Sequence, residues 1–313
     1  MSKRAMKVET DVSTPNLGLV CITTSEAVRY RALTRKRLLQ LGAEEQRETL
    51  RRLYADNLAR LSAAIDFCLA RGLRLYRMTS GLFPFADAPE GEPVLEELRE
   101  QVAEVGRRAL RLGIRLVLHP DQFVVLSSDS AEVVANSIKI LHTHARVMDM
   151  LEQPRTSWAL IEIHGGKSGR GSRLVEVIGE LPAGVRSRLA LENDEYAYSA
   201  SEILEVCRAA GVPMVFDAHH HVVRERLDSY EHPSIAEMLA AARTTWPVPA
   251  WQLVHISNGR ESFADRHHSD LIDTMPSAYT RAPWIEVEAK LKEQAIAKLQ
   301  TNWLPACAAA GMG

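Results

Sequence analysis

The segment from Pro213 to His221 joins an apolar run to side chains that bind metal ions. Residues 214–216 are apolar and predict a buried strand, and Asp217 and a run of three histidines at 219–221 follow it. Burying a carboxylate and several imidazoles without a charged partner is costly, so a divalent cation is the expected partner. The alternative is a solvated polar loop, which is the usual environment of an isolated histidine.

The same arrangement recurs at the ends of most predicted strands. Carboxylates or imidazoles stand at six such positions, namely His119, Glu162 or His164, Glu192, Asp217 with His220, His255, and Glu288. His267 and His268 follow the seventh strand and could reach the same place. The set combines imidazoles with carboxylates and lacks thiolates, so it suits Mn²⁺, Zn²⁺ or Fe²⁺ better than Mg²⁺ or Ca²⁺. It exceeds what one ion needs, and we expect two or three ions.

Such a cluster is suited to phosphodiester hydrolysis. It can bind the scissile phosphate, deprotonate a water at neutral pH and stabilise the leaving oxygen. No Ser/His/Asp triad, Walker loop or nucleophile elbow in the sequence favours a different reaction.

Two basic segments follow predicted strands at the same end. The first runs from Gly165 to Arg173, where glycines let backbone amides approach phosphates and Lys167 and Arg170 add positive charge. The second spans residues 29–37. Either segment could instead be a solvated loop without a ligand.

Eight strand-like segments alternate with helical ones along the chain. The predicted strands are residues 17–22, 73–79, 115–119, 158–164, 188–192, 213–217, 251–257 and 284–288. Parallel strands need crossover helices, and eight such units close into a (β/α)8 barrel whose active site lies where the strands end. A doubly wound open sheet is the alternative, but the first strand lacks the glycine-rich turn typical of it. We therefore predict one TIM-barrel domain at 15–303, a disordered tail at 1–14 and a C-terminal tail at 304–313.

The composition is that of an ordinary globular protein. The chain has 313 residues, of which 46% are hydrophobic and 25% charged, and its net charge of −2 neither demands nor excludes a nucleic-acid partner. We expect no membrane span and no signal peptide, because the apolar runs are strand-length and the N-terminal charges precede no apolar core. The four cysteines lack Cys-x-x-Cys spacing, which favours thiols in a cytoplasmic protein, associated with the nucleoid if bacterial. No obligate protein partner is evident.

Taken together, these residues resemble the UV damage endonuclease (UVDE) family, within the endonuclease IV and xylose isomerase-like TIM-barrel superfamily. The resemblance covers about residues 15–299. Its motifs are Tyr76-Arg-Met-Thr-Ser80 with Phe83-Pro84, His119-Pro-Asp-Gln122, His164-Gly-Gly-Lys167, Leu191-Glu-Asn-Asp194, Phe216-Asp-Ala-His-His220, Val254-His-Ile-Ser257 and Val287-Glu-Ala-Lys290. Their order along the chain makes the resemblance specific, although each motif alone is weak.

The resemblance implies a cluster of about three Mn²⁺ ions, with Zn²⁺ or other divalent ions as alternatives. The implied ligands are His119, His164, Glu192, Asp217, His220, His255, His268 and Glu288. Among them we expect Glu192, Asp217, His255 and Glu288 to be catalytic, with Glu192 as the bridging ligand. Strand alternation alone would place His219 and His221 beside Asp217, so His220 can serve only if the chain leaves the strand just after Asp217.

The resemblance also implies damaged double-stranded DNA as the substrate. The expected reaction is a nick immediately 5′ to UV photoproducts and other helix-distorting lesions, by metal-activated hydroxide attack that leaves a 3′-hydroxyl and a 5′-phosphate. Gln122 and Phe123 would probe the lesion, because unstacking costs least where the duplex is already weakened. Lys167 and Arg170 would contact the DNA backbone.

The sequence departs from the family pattern at four positions. Relatives often carry tyrosine at the positions of Leu19 and Phe123, and a lysine at the position of Leu253. Asp87 stands where relatives tend to have a metal-site histidine, and it could be a ligand or a proton-transfer group. Three alternative functions remain: an endonuclease IV-like enzyme that cuts abasic sites with Zn²⁺, a xylose isomerase-like sugar isomerase, and a catalytically inactive DNA-binding or scaffold protein.

Overall fold

Eight parallel strands form a closed barrel in which each strand pairs with its neighbours in the sequence and β1 pairs with β8. The computed structural model describes residues 14–120 and 123–310. The strands are β1 (Asn16–Val20), β2 (Leu75–Met78), β3 (Arg115–Leu118), β4 (Ile161–His164), β5 (Leu189–Glu192), β6 (Met214–Asp217), β7 (Leu253–Ile256) and β8 (Trp284–Val287). The predicted TIM barrel is confirmed, and the strands lie within the predicted segments except at the start of β1.

Helices connect the strands along the outside of the barrel. They are α1 (Arg35–Leu38), α2 (Ala43–Ala70), α3 (Glu92–Glu97), α4 (Arg99–Arg111), α5 (Ala131–Met150), α6 (Gly171–Glu180), α7 (Ala183–Arg186), α8 (Ala200–Ala210), α9 (Ala218–Glu225), α10 (Pro233–Arg243), α11 (Lys292–Asn302) and α12 (Leu304–Ala310). Between β2 and β3 the chain forms two helices, α3 and α4. The predicted C-terminal tail begins with α12, whereas almost all of the predicted N-terminal tail lies outside the described residues.

A buried arginine closes the amino-terminal end of the barrel. Arg115, the first residue of β3, donates hydrogen bonds to the carbonyl oxygens of Trp158 (2.8 Å), Ser157 (3.0 Å) and Trp251 (2.9 Å). Its guanidinium carbon lies 4.9 Å from the ring centroid of Trp158 and 5.2 Å from that of Trp284. Burial lowers the pKa of Arg115 to about 9. This packed, aromatic end leaves the opposite end of the barrel for the polar cluster.

The strand register aligns the polar residues at that opposite end. His164 is the Cα partner of Glu192 between β4 and β5, Asp217 is the partner of His255 between β6 and β7, and His255 is the partner of Glu286 between β7 and β8. Paired residues in neighbouring strands lie close together, so the register converts positions distant in sequence into one layer of side chains.

No helix in the described part of the chain is long and apolar enough to cross a membrane. The four cysteines are free thiols, and Cys68, Cys207 and Cys307 are buried.

Gly106 permits a close approach between α4 and the end of α5, and its replacement should be costly. A Cβ atom there would lie 1.8 Å from the carbonyl oxygen of Leu151, so the backbone would have to move. We expect Gly106→Ala to lower the free energy of unfolding by at least about 2 kcal/mol, measured by urea denaturation. The matched control is Gly179→Ala in α6, where an added Cβ atom would meet nothing outside its own stretch of helix within 4 Å. Here we expect the free energy of unfolding to rise by about 0.5–1 kcal/mol. Equal effects at the two glycines would contradict this interpretation.

Candidate metal centre

The carboxylate of Glu192 lies at the centre of the site, at the end of β5. Four imidazoles surround it, with His255 Nδ1 at 3.0 Å, His119 Nε2 at 3.1 Å, His220 Nδ1 at 3.4 Å and His164 Nε2 at 3.7 Å. Burial alone would raise the pKa of Glu192, but these imidazoles, first that of His255, hold it well below its usual range. The carboxylate is therefore ionised although only 1% of the residue is exposed.

The chain leaves the strand directly after Asp217, which explains why His220 reaches the cluster. Asp217 is the N-cap of α9, and its Oδ1 accepts a hydrogen bond of 2.8 Å from the amide of His220. Helical geometry turns the two neighbouring histidines away. His219 contacts the hydroxyl of Tyr230 at 2.7 Å, and His221 contacts the hydroxyl of Ser234 at 2.9 Å. Strand alternation, which would have selected His219 and His221, is wrong here because a helix starts where the strand ends.

Glu288 and His268 complete the ring of predicted ligands. Glu288 follows β8, and its Oε1 lies 3.6 Å from Nδ1 of His255, while its Oε2 lies 3.9 Å from Nε2 of His268. His268 is held in the loop after β7 by an antiparallel bridge with Gly259. Six of the predicted ligands line one cavity of about 830 Å³, and these are His119, His164, Glu192, His220, His268 and Glu288. Asp217 and His255 lie fully buried among them.

A second layer of charged residues lies beneath the predicted ligands. Nε2 of His255 is 3.2 Å from Glu162 Oε2 and 3.0 Å from Glu286 Oε2, and Nη1 of Arg77 is 2.7 Å from Glu286 and 2.5 Å from Glu288. Burial raises the pKa of Glu162, whereas Arg77 and His255 overcome burial and lower that of Glu286. These contacts direct Nε2 of His255 inward and leave Nδ1 facing Glu192 and Glu288.

Sequence reasoning missed Arg77 and Glu286 as members of the site. Glu286 lies two residues before Glu288, so strand alternation places it on the same face, and that signal was available. Arg77 lies in β2 between apolar residues and ends no strand, so the pattern of strand-end ligands does not include it.

The arrangement fits divalent cations. Three sets of ligand atoms that consist entirely of predicted ligands each lie within 4.8 Å of one another, namely His119 with His164 and Glu192, Glu192 with Asp217 and His220, and Asp217 with His255 and Glu288. Within the described part of the chain, the buried atoms Asp217 Oδ2 and His164 Nδ1 have no hydrogen-bond partner. Buried polar atoms are rarely left unpaired, and mixed nitrogen and oxygen donors suit Mn²⁺, Zn²⁺ or Fe²⁺.

Asp87 is not brought to the cavity. Its carboxylate lies 3.6 Å from Nζ of Lys139 in α5, and it does not line the cavity that the predicted ligands share. Leu19 and Leu253 are fully buried in the core, so neither side chain is available to a ligand. The structure therefore places three of the four departures from the family pattern away from the open surface of the site.

The described members of the predicted DNA-contacting set lie in the loops after β3 and β4, and their environments differ. Phe123 is 60% exposed, whereas its predicted partner Gln122 lies outside the described residues. Lys167 and Arg170 both form ion pairs with Asp129, and Nε of Arg170 lies 2.9 Å from Oδ1 of that carboxylate. This single carboxylate offsets one of the two positive charges within the protein, which the basic composition of the loop did not indicate.

Fold and site together define a (β/α)8 barrel with a candidate centre for several metal ions at the carboxyl ends of its strands. Residues 15–307 match the family model of the UV-endonuclease UvdE, and the chain belongs to this family. The chain is 56% identical over 292 residues to a UV DNA damage endonuclease of a Nostoc species, covering 93% of this chain and 91% of the relative. It is 50% identical over 289 residues to that of Deinococcus radiodurans, covering 91% and 95%.

Solved structures support the fold. The crystal structure of SacUVDE superposes with a TM-score of 0.74 at 24% identity, covering 92% of this chain and 98% of that one. Endonuclease IV from Thermus thermophilus superposes with a TM-score of 0.57 at 16% identity, covering 94% and 98%. At these identities the likeness concerns the barrel itself.

His268 and His267 allow a matched test of the ligand set. His268 faces Glu288, whereas His267 is exposed and its Nδ1 lies 2.9 Å from Asp265. Because an ion that binds only the folded state raises the melting temperature, we expect Mn²⁺ to stabilise the protein. His268→Ala should raise the Mn²⁺ concentration needed for half of that shift by roughly tenfold or more, as loss of a ligand or its support does. The control His267→Ala should leave it unchanged, and an equal effect of both would remove His268 from the centre.

His220 and His255 should make the stability of the metal-free protein fall as pH rises. Burial opposes protonation, but neighbouring carboxylates raise the pKa of both histidines well above the ordinary 6.5. The largest such effect comes from Asp217 for His220 and from Glu192 for His255. A raised folded-state pKa contributes stability below about pH 6.5 that is lost as pH rises through the folded value.

Melting temperatures measured in chelator between about pH 6 and about pH 8 should therefore decrease. Cations compete with these protons, so stabilisation by Mn²⁺ should increase over the same range. Burial lowers the pKa of His164, His219 and His221, which act in the opposite direction, so a metal-free melting temperature that rises with pH would show that His220 and His255 do not dominate the pH dependence.

Proposed function

We propose that this protein is a DNA repair endonuclease that nicks duplex DNA immediately 5′ to UV photoproducts and other helix-distorting lesions. The observation that carries the proposal is the buried carboxylate of Glu192 with four imidazoles within 3.7 Å at the open end of the barrel. Membership of the UvdE family, and close similarity to proteins named UV DNA damage endonucleases, support the substrate class. The products would be a 3′-hydroxyl and a 5′-phosphate.

The chain's own residues would prepare this chemistry. Bound divalent ions, with Mn²⁺ as the first candidate, would supply a nucleophile at neutral pH and neutralise charge on the phosphate and the leaving oxygen. Glu192 and Asp217 each belong to two of the candidate ligand sets, so both would help to hold the ions at more than one of these places. His255 and Glu288 would form the deep wall of the centre, where Glu286 and Arg77 hold them in place.

Lesion recognition would use the rim. Phe123 projects from the turn after β3 and is 60% exposed, so its ring can wedge or stack where bases are already poorly paired. Lys167 and Arg170 would contact the DNA backbone only by exchanging Asp129 for a phosphate. Recognition would then depend more on the deformability of damaged DNA than on unpaired positive charge in this loop.

The test is incision of an end-labelled duplex that carries one defined pyrimidine photoproduct. We expect a nick immediately 5′ to the photoproduct with Mn²⁺ and none with chelator, mapped on a sequencing gel. Cleavage at an abasic site but not at the photoproduct would favour an endonuclease IV-like activity. Failure to cut or bind either duplex at low salt would favour a sugar isomerase, which needs no attraction to phosphate.

Glu192→Gln should abolish incision and spare most of the affinity for DNA. The amide keeps the size of the side chain but cannot bridge ions or pair with the surrounding imidazoles as an anion. The matched control is Asp87→Asn, which removes a carboxylate that the structure pairs with Lys139 at 3.6 Å and should leave the single-turnover rate unchanged. Retained incision by Glu192→Gln would remove Glu192 from the centre.

A further inference from the structure

An exposed tyrosine stands at the mouth of the cavity beside the predicted ligands. Tyr196 lies in the loop after β5 and lines the cavity together with Glu195, His220 and Arg266. It is 57% exposed, which makes it one of only a few large hydrophobic residues in the described part of the chain that face solvent. Tyr198, two residues later, is buried at 2% exposure. The loop therefore packs Tyr198 into the protein while it presents Tyr196 to solvent.

The loop presents this ring from a fixed backbone. Oδ1 of Asp194 accepts hydrogen bonds from the amides of Tyr196 at 2.7 Å and of Tyr198 at 3.4 Å, and also from the amide of Ala197. The carbonyl oxygen of Tyr196 accepts a hydrogen bond of 2.6 Å from Nη1 of Arg224 in α9. The backbone on both sides of the ring is thus held by side chains, and a ligand that stacks on the ring would lose little entropy in ordering the loop.

Arg266 lies against the same ring. Its guanidinium carbon is 5.5 Å from the ring centroid, and its Nη1 donates a hydrogen bond to the tyrosine hydroxyl. The other cations that line the cavity, Arg77 and Lys167, form ion pairs with carboxylates. Within the described residues, no carboxylate forms an ion pair with Arg266, so its charge is available to an anion from solvent.

The barrel topology places this pair across the mouth from Phe123. Phe123 follows β3 and Arg266 follows β7, and these strands are four positions apart in a closed ring of eight. Tyr196 follows β5, between them. Exposed aromatic residues therefore follow two separate strands of the barrel, at the end where the predicted metal ligands line the cavity.

We propose that Tyr196 and Arg266 form a nucleotide-binding subsite. The ring stacks on a base that is displaced from the duplex next to the scissile bond, and the guanidinium binds the adjoining phosphate. Stacking on an aromatic face tolerates any base or base adduct, whereas a planar guanidinium matches a phosphate. The subsite is distinct from the lesion probe at 122–123, and the inference rests on the proposed function.

Binding and single-turnover incision together test the subsite. Fluorescence anisotropy in chelator measures the affinity for a duplex with one pyrimidine photoproduct and for the same duplex undamaged. We expect Tyr196→Ala to weaken binding of the damaged duplex on the order of tenfold, with little effect on the undamaged one. Tyr196→Phe, which keeps the ring, should retain the preference.

Arg266→Ala should act differently from Tyr196→Ala. It should weaken binding of both duplexes and reduce the slope of log affinity against log salt by about one, as expected for one lost phosphate contact. The matched control is Leu39→Ala, since Leu39 is also exposed, at 54%, but lies at the end of α1 and does not line the cavity. This control should bind both duplexes as the wild type does.

The outcomes separate the subsite from the proposed function. If wild-type protein nicks and prefers the damaged duplex but Tyr196→Ala keeps that preference, the subsite is wrong and the function stands. Equal losses in Tyr196→Phe and Tyr196→Ala would also overturn base stacking, because the ring is retained in only one of them. If the wild type neither prefers nor nicks the damaged duplex, the proposed function fails and the subsite with it.

Discussion

The structure depends on the burial of an ionised carboxylate among imidazoles at the end of a parallel barrel. An unpaired charge buried in the position of Glu192 would cost several kcal/mol of folding free energy, about what is expected for a charge without a polar partner, and apolar neighbours would not offset this cost. The compensation comes from four imidazoles, one each from the residue after β3, from β4, from β7 and from the first turn of α9. Because every one of these groups is anchored by a different element, the cluster can exist only when the barrel is closed.

Charge within the barrel is arranged in layers that depend on each other. At the amino-terminal end, Arg115 is satisfied by carbonyl oxygens and tryptophan rings. In the next layer, Arg77 pairs with Glu286. His255 joins this layer to the one above, with one ring nitrogen facing Glu286 and the other facing Glu192. The orientation of a predicted ligand is thus fixed in part by Glu286, a residue that does not line the cavity.

The sequence was sufficient to predict the barrel and the end at which the polar residues gather, because strand alternation and strand-end chemistry are local patterns. It was insufficient wherever a local pattern changes or a partner is distant. Asp217 shows the first case, since a helix begins at the residue after the strand and turns His220 inward. Asp129 shows the second, since it neutralises Lys167, 38 residues away, through tertiary contact. The composition of the loop alone predicted positive charge without this acidic partner.

Acidic side chains partly offset the positive charge of the basic loops, which weakens the attraction of these loops for DNA. The net charge is −2, Lys167 and Arg170 are paired with Asp129, and Arg31 is paired with Asp56. The cavity floor itself carries carboxylates, which repel phosphate unless cations neutralise them. Metal loading should therefore determine how the scissile phosphate is held over the cavity floor. On this view the ligand cluster determines where the scissile phosphate lies, while the exposed residues around the cavity supply most of the affinity and determine which duplexes bind.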